Sequence, residues 1–212
     1  MKVIGIEIDN VIRNRNKQIA KYYAKDIDKT VDVDTIETGV TDASLLLFKS
    51  KKERQKFLYE DYSYEIYGCA KAMSKETVSK LNEWIIELND MAEPFEVVLF
   101  STMECDLTIQ STYFFLAKSA CRARNIYFPH NTKDIWKKCD IVIGASKSVL
   151  DSKPYGKVSV GISTKDNAKS VEKSDFAYEN LKNAIEDGAF LKKVVEKSKL
   201  YAIFYKIKKM FK

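Results

Sequence analysis

Val3-Ile4-Gly5-Ile6-Glu7-Ile8-Asp9-Asn10 is an apolar run that stops at two acids one residue apart. Residues two apart in a strand point to the same side, so Glu7 and Asp9 project together. Acids at the carboxyl end of a buried parallel strand fall where open α/β sheets place their ligands. The pair is therefore a candidate catalytic or metal centre.

Further strand signals lie outward from this run, at residues 95–100, 140–143 and 157–162, with the first spanning 3–8. Each is short and apolar or β-branched, the pattern of strands buried on both faces. Helical patterns separate them, over 108–124 around Ile109, Phe115, Leu116 and Cys121, and over 132–138 around Ile135 and Trp136. Strand–helix alternation of this kind predicts an α/β fold with a parallel sheet.

The interval 13–94 reads differently. It carries helical stretches at 17–26, 43–48, 51–67 and 75–91 and little strand signal. Val78, Leu81, Trp84, Ile85 and Leu88 give the last stretch an apolar face, and Ser74 with Thr77 supplies half a capping box. About eighty residues between the first two strands is too many for one crossover. The interval is read as an inserted helical cap centred on 42–67. Residues 1–12 and 95–188 then form the core. A helix is expected over 174–186, and 189–212 forms a basic amphipathic helix.

The net charge of +6 is concentrated in that last segment, where eight lysines face only Glu196. The body is close to neutral, so any nucleic-acid contact is expected only through the lysine face. Its apolar residues Phe190, Leu191, Tyr201, Phe204, Ile207 and Phe211 are candidates for contact with partner subunits, the core or a membrane surface. No run reaches the roughly 18 apolar residues that a membrane span needs. Cys69, Cys105, Cys121 and Cys139 form no C-x-x-C pair and His130 is the single histidine, which disfavours a zinc site or disulfide framework. The expected setting is intracellular, in a host cytoplasm or an assembled virion.

Four pieces line up in order: the acid-x-acid strand; Val97-Val98-Leu99-Phe100-Ser101-Thr102; a lysine-bearing segment from Lys133 to Lys138; and Asp140-Ile141-Val142-Ile143-Gly144-Ala145. Together they resemble the haloacid dehalogenase (HAD) superfamily, in particular its 5′-nucleotidase-like phosphatases with a helical cap. The resemblance covers residues 2–185. It implies a Rossmann-like sheet sandwiched by helices. It also implies a nucleophilic acid at Glu7, an acid/base at Asp9, phosphate contacts from Ser101 or Thr102 and from Lys133 or Lys137, and magnesium held by a further acidic pair.

Two positions depart from that pattern. Glu7 stands where the family has Asp, and its extra methylene displaces the carboxylate by about 1 Å, a shift that can cost roughly 100-fold in rate. Gly144 and Ala145 replace the acidic pair, so no resident metal is expected. Asn10, in place of the family's Gly, can still reach positive φ. The reading favoured is a HAD-like pseudoenzyme serving as a structural or interaction module in a larger assembly. A bacteriophage particle is the host assembly considered, and a composition rich in Lys, Asn, Ile, Tyr and Phe with few Gly and Pro is that of an AT-rich genome. The alternative is a magnesium-dependent phosphatase of nucleoside monophosphates or another small phosphoester.

Overall fold

The structure, a computed structural model, describes residues 1–30, 48–102, 106–164 and 167–195. Its centre is a six-stranded sheet in the order β3-β2-β1-β4-β5-β6. The strands are β1 Lys2–Glu7, β2 Phe95–Phe100, β3 Asn125–Tyr127, β4 Ile141–Gly144, β5 Val158–Ile162 and β6 Phe176–Tyr178. Every neighbouring pair is parallel. β1 lies between β2 and β4, so chain order reverses direction beside it. In such sheets the crevice for ligands opens there, at the strands' carboxyl ends.

The alternation of β1 divides the core in two. Ile4 and Ile6 join Leu99, Ile141, Ile143 and Val160 in the larger cluster. On the other face Phe100 and Val142 pack with Ile135, Trp136, Cys139 and Val149. Gly5 sits at that second contact, and a Cβ there would lie 2.7 Å from Cys139 Sγ. The glycine is required by close approach of the helix Thr132–Lys138 layer.

Residues between β1 and β2 hold a separate apolar cluster of Ile19, Ala20, Tyr23, Phe57, Leu58, Ile66 and Tyr67. It joins the helix Arg15–Asp26 to two widened turns, Phe57–Asp61 and Tyr64–Gly68. The expected continuous helix over 51–67 is thus broken into an α-helix and π-helical turns, which rotate Phe57, Leu58 and Tyr67 inward. The stretch expected at 43–48 lies, except for Phe48, outside the described residues.

Two boundaries differ from the sequence reading. The helix Thr77–Asn89, assigned to the cap, buries Val78, Leu81, Trp84 and Leu88 in the main core. Its apolar face was legible; the surface it covers was not. Residues 174–186 do not form one helix. Phe176–Tyr178 pair with β5 as the sheet's edge, and a new helix Leu181–Asp187 starts at Asn180, whose side chain accepts from Asn183 N.

Residues 189–195 are helical, and Phe190, Leu191 and Val194 are buried in the chain's own core. Phe190 sets its ring edge-on against Trp84 and Phe176. Of the three surfaces left open for this segment, Phe190 and Leu191 take the chain's own core, where both are buried, and they are not exposed to a partner as the partner-contact reading had them. Tyr201, Phe204, Ile207 and Phe211 lie outside the described residues. Among the described residues, no helix is long and apolar enough to cross a membrane.

Candidate functional site

β1 delivers Glu7 to the switch-point crevice, fully buried. Its carboxylate reaches across to the loop that follows β4. Oε2 accepts from Ala145 N at 2.8 Å and Ser146 N at 2.9 Å, while Oε1 accepts from the Ser146 hydroxyl. Burial is the largest influence on its acidity and pushes its pKa up, against the three hydrogen bonds that favour the anion. Gly144 leaves room for this arrangement, since a Cβ there would stand 3.0 Å from Glu7 Oε2. The longer acid at 7 and the missing side chain at 144 are two halves of one packing solution.

Asp9 lies in the turn beyond β1. Asn10 adopts φ 60°, and Arg13 N donates back to Ile8 O at 2.8 Å. That reversal lays Arg13 across Asp9. Arg13 Nη2 and Nε donate to Asp9 Oδ1 at 2.8 and 3.1 Å. Its Nη1 donates to Tyr67 O at 2.9 Å and Thr112 Oγ1 at 2.6 Å. The guanidinium also stacks over the Tyr67 and Phe115 rings. One fully buried side chain therefore fastens the turn after β1, the inserted cap and the helix Asp106–Lys118.

Ser101 Oγ donates to Asp9 Oδ2 at 2.6 Å, and Arg15 Nη1 stands 3.8 Å from the same oxygen. Burial of Asp9 opposes ionisation, but the charges of Arg13 and Arg15 and the Ser101 bond prevail and hold its pKa below the usual carboxylate range. The structure thus brings Glu7, Asp9 and Ser101 together. Of the two hydroxyl candidates, Ser101 is the one bonded to Asp9.

Lys133 is exposed on the helix Thr132–Lys138, and the described partners of Glu7 and Asp9 do not include it. Lys137 is taken up in a surface pair with Asp134. His130 is exposed. The residues that the sequence reading missed are Arg13, Arg15, Thr112 and Ser146. Arg13-Asn14-Arg15 directly after an acid-tipped strand was the available signal, with Arg13 four residues from Asp9.

The donor set does not suit magnesium. A hard cation needs carboxylate, carbonyl or water oxygens with lone pairs to spare. Here the site's two carboxylates face amides, hydroxyls and guanidinium groups, and the β4 loop contributes none. Among the described residues, no group of three or more His, Cys, Asp or Glu is placed to hold a metal.

No protein-family model and no curated protein sequence matches the chain. Solved structures do. A protein from Burkholderia xenovorans LB400, described as a haloacid dehalogenase-like hydrolase, aligns with a TM-score of 0.55 at 10% identity. The alignment covers 89% of this chain and 97% of that one. A HAD-superfamily hydrolase of subfamily IA, variant 1, from Geobacter sulfurreducens PCA aligns over 88% of this chain and 95% of its own at 10% identity, with a TM-score of 0.48. The first of these alignments and the sheet order together define the class: the chain has a HAD-like α/β fold, with helices inserted after the first strand.

Proposed function

We propose that this HAD-like chain is a structural or interaction module that does not turn over phosphoesters. The carrying observation is the placement of Glu7. At the position of the family's nucleophile, its carboxylate bridges the crevice to Ala145 and Ser146. A carboxylate occupied by three donors is a brace, and attack on phosphorus would require breaking those bonds. Arg13 supports the same reading, because it ties the cap to the core through a buried ion pair at the point where a cap would open.

An interaction role draws on the surface. Leu107, Tyr113 and Phe114 are exposed on the helix Asp106–Lys118, and Phe114 continues into Tyr64 of the cap at 5.3 Å between rings. Leu107 and Phe114, seven residues apart, share one face of that helix, and exposed large apolar side chains on one face are a feature of contact surfaces. A phage particle as the host assembly has composition as its support.

The second reading, a magnesium-dependent phosphatase of nucleoside monophosphates or another small phosphoester, draws on the Ser101–Asp9 bond, which keeps a hydroxyl and an acid side by side. One assay separates the two. Purified protein is incubated with magnesium, nucleoside monophosphates and sugar phosphates, and released phosphate is measured. Release at the level of buffer is expected. Turnover that disappears in Asp9→Asn overturns the structural reading.

A further inference from the structure

The connection between the helix Thr77–Asn89 and β2 meets the last described turn of the chain along a groove of 450 Å³. Met91, Ala92 and Phe95 line it from the connection, and Leu191 and Val195 from residues 189–195. Phe95 opens β2, so the groove lies at the amino end of the sheet, opposite the crevice that holds Glu7 and Asp9. Met91 is 43% exposed and Ile86, on the same helix arm, 49%. Large apolar side chains left in water beside a concave apolar surface call for an occupant.

The rim of the groove is acidic. Glu87, Asp90 and Glu93 are exposed, and none of them has an ion-pair partner among the described residues. From 81 to 117 the sequence holds no lysine or arginine to offset them. Among the described lining residues Lys192 is the one cation. An apolar groove edged with carboxylates fits an amphipathic helix whose polar face is basic.

The chain carries such a segment in its sequence. Residues 196–212, outside the described residues, hold six lysines against Glu196. Leu200, Phe204, Ile207 and Phe211 recur there at the spacing of one helix face. The segment follows directly on Val195, which lines the groove. No Gly or Pro between 189 and 212 marks a reversal that would return it into a groove lined by its own Leu191 and Val195. A second copy needs no such reversal, and the exchange can be reciprocal about a two-fold axis.

We propose that the groove receives residues 196–212 of a second copy of this chain, closing a two-fold dimer. The apolar face of the segment covers Met91, Ala92 and Leu191, and its lysines meet Glu87, Asp90 and Glu93. The proposal rests on the interaction-module reading and names its partner.

The test uses the full chain. Sedimentation velocity over a range of concentrations is expected to show a monomer–dimer equilibrium. Chains grown with light and with heavy nitrogen are then mixed and treated with a zero-length carbodiimide coupler. Mass spectrometry is expected to find lysines of 197–212 joined to Glu87, Asp90 or Glu93 between a light and a heavy copy. Glu87→Lys, Asp90→Lys and Glu93→Lys together are expected to weaken the dimer about tenfold or more. The same charge change at Glu60, Glu172 and Glu179, none of which lines the groove, should alter it less than about threefold. Mixing the groove variant with a Lys206→Glu, Lys208→Glu and Lys209→Glu variant should restore the association that each one weakens. A monomer at every concentration, joins found only within one copy, or a dimer undiminished by the groove variant overturns the proposal. Phosphate release decides the non-catalytic reading and association decides this one, so the two failures stay distinct.

Discussion

Arg13 and Asp9, four residues apart, form a fully buried ion pair, with Nη2 2.8 Å and Nε 3.1 Å from one carboxylate oxygen. The pair exists because Asn10 turns the chain at positive φ and brings position 13 back over position 9. Its remaining donors reach Tyr67 O and Thr112 Oγ1, so charge compensation and cap attachment are the same contact.

Removing one partner of such a pair leaves the other charge uncompensated in the interior, typically at a cost of 3–5 kcal/mol. Arg15 stays near Asp9 and offsets part of this. Arg13→Ala is therefore expected to lose about 3 kcal/mol in urea denaturation. The double variant Arg13→Met with Asp9→Asn should lose distinctly less. Equal losses would mean that packing on Tyr67 and Phe115 matters more than the charge.

Glu7 and Gly144 make a sharper prediction, because their shapes are interdependent. A methyl group at 144 would press on a carboxylate that Ala145 and Ser146 hold in place. Gly144→Ala is expected to cost about 1–3 kcal/mol, the usual range for overpacking. In a Glu7→Ala background the same substitution should cost much less. A double-mutant cycle with no coupling would show that the brace is not rigid.

Much of the sheet was legible because buried parallel strands are short apolar runs, and residues 95–100 were bounded correctly on that basis alone. The edge strands were not. Asn125–Tyr127 and Phe176–Tyr178 have three residues each, too few to show a period, and Phe176 with Leu181 and Ile185 imitates a helical face. At the site, Glu7 and Asp9 were read from strand parity, and Ser101 or Thr102 from the order of motifs that carries the resemblance. Arg13 and Arg15 act through a turn whose geometry depends on one positive φ, and no sequence period encodes that.

The two acids should respond to pH in opposite directions. The folded-state pKa of Asp9 lies below its ordinary value of 3.8, because the charges of Arg13 and Arg15 outweigh its burial. Its stabilising contribution is complete above that pH and is lost as pH falls through the folded value. The stability advantage of wild type over Asp9→Asn should accordingly shrink below pH 3.8. The folded-state pKa of Glu7 lies above 4.5 through burial. Folded protein then holds the proton more tightly than unfolded chain, so stability falls as pH rises from that value. Glu7→Gln, which keeps the shape, should show a flatter profile there. Parallel profiles for wild type and Glu7→Gln in chemical denaturation would contradict the raised value.

Within the last segment, the described residues 189–195 belong to the fold. Phe190, Leu191 and Val194 fill the core beside Trp84, and Lys193 pairs with Asp175 at 2.7 Å. Deleting 189–212 would therefore unfold the protein as well as remove any contact element, and could not by itself report on assembly. Phe190→Ala is expected to cost about 3–5 kcal/mol, as truncation of a fully buried phenylalanine does. Deleting 196–212 keeps Phe190, Leu191 and Val194, and its urea midpoint is measured beside wild type so that a loss of stability is told apart from a loss of contact. Sedimentation velocity on that shorter chain then isolates the contribution of Tyr201, Phe204, Ile207 and Phe211. Loss of self-association without loss of stability assigns the contact to them. Unchanged association moves the contact elsewhere, and Phe114→Ser then tests the exposed helix face of Leu107 and Phe114, where loss of association is expected.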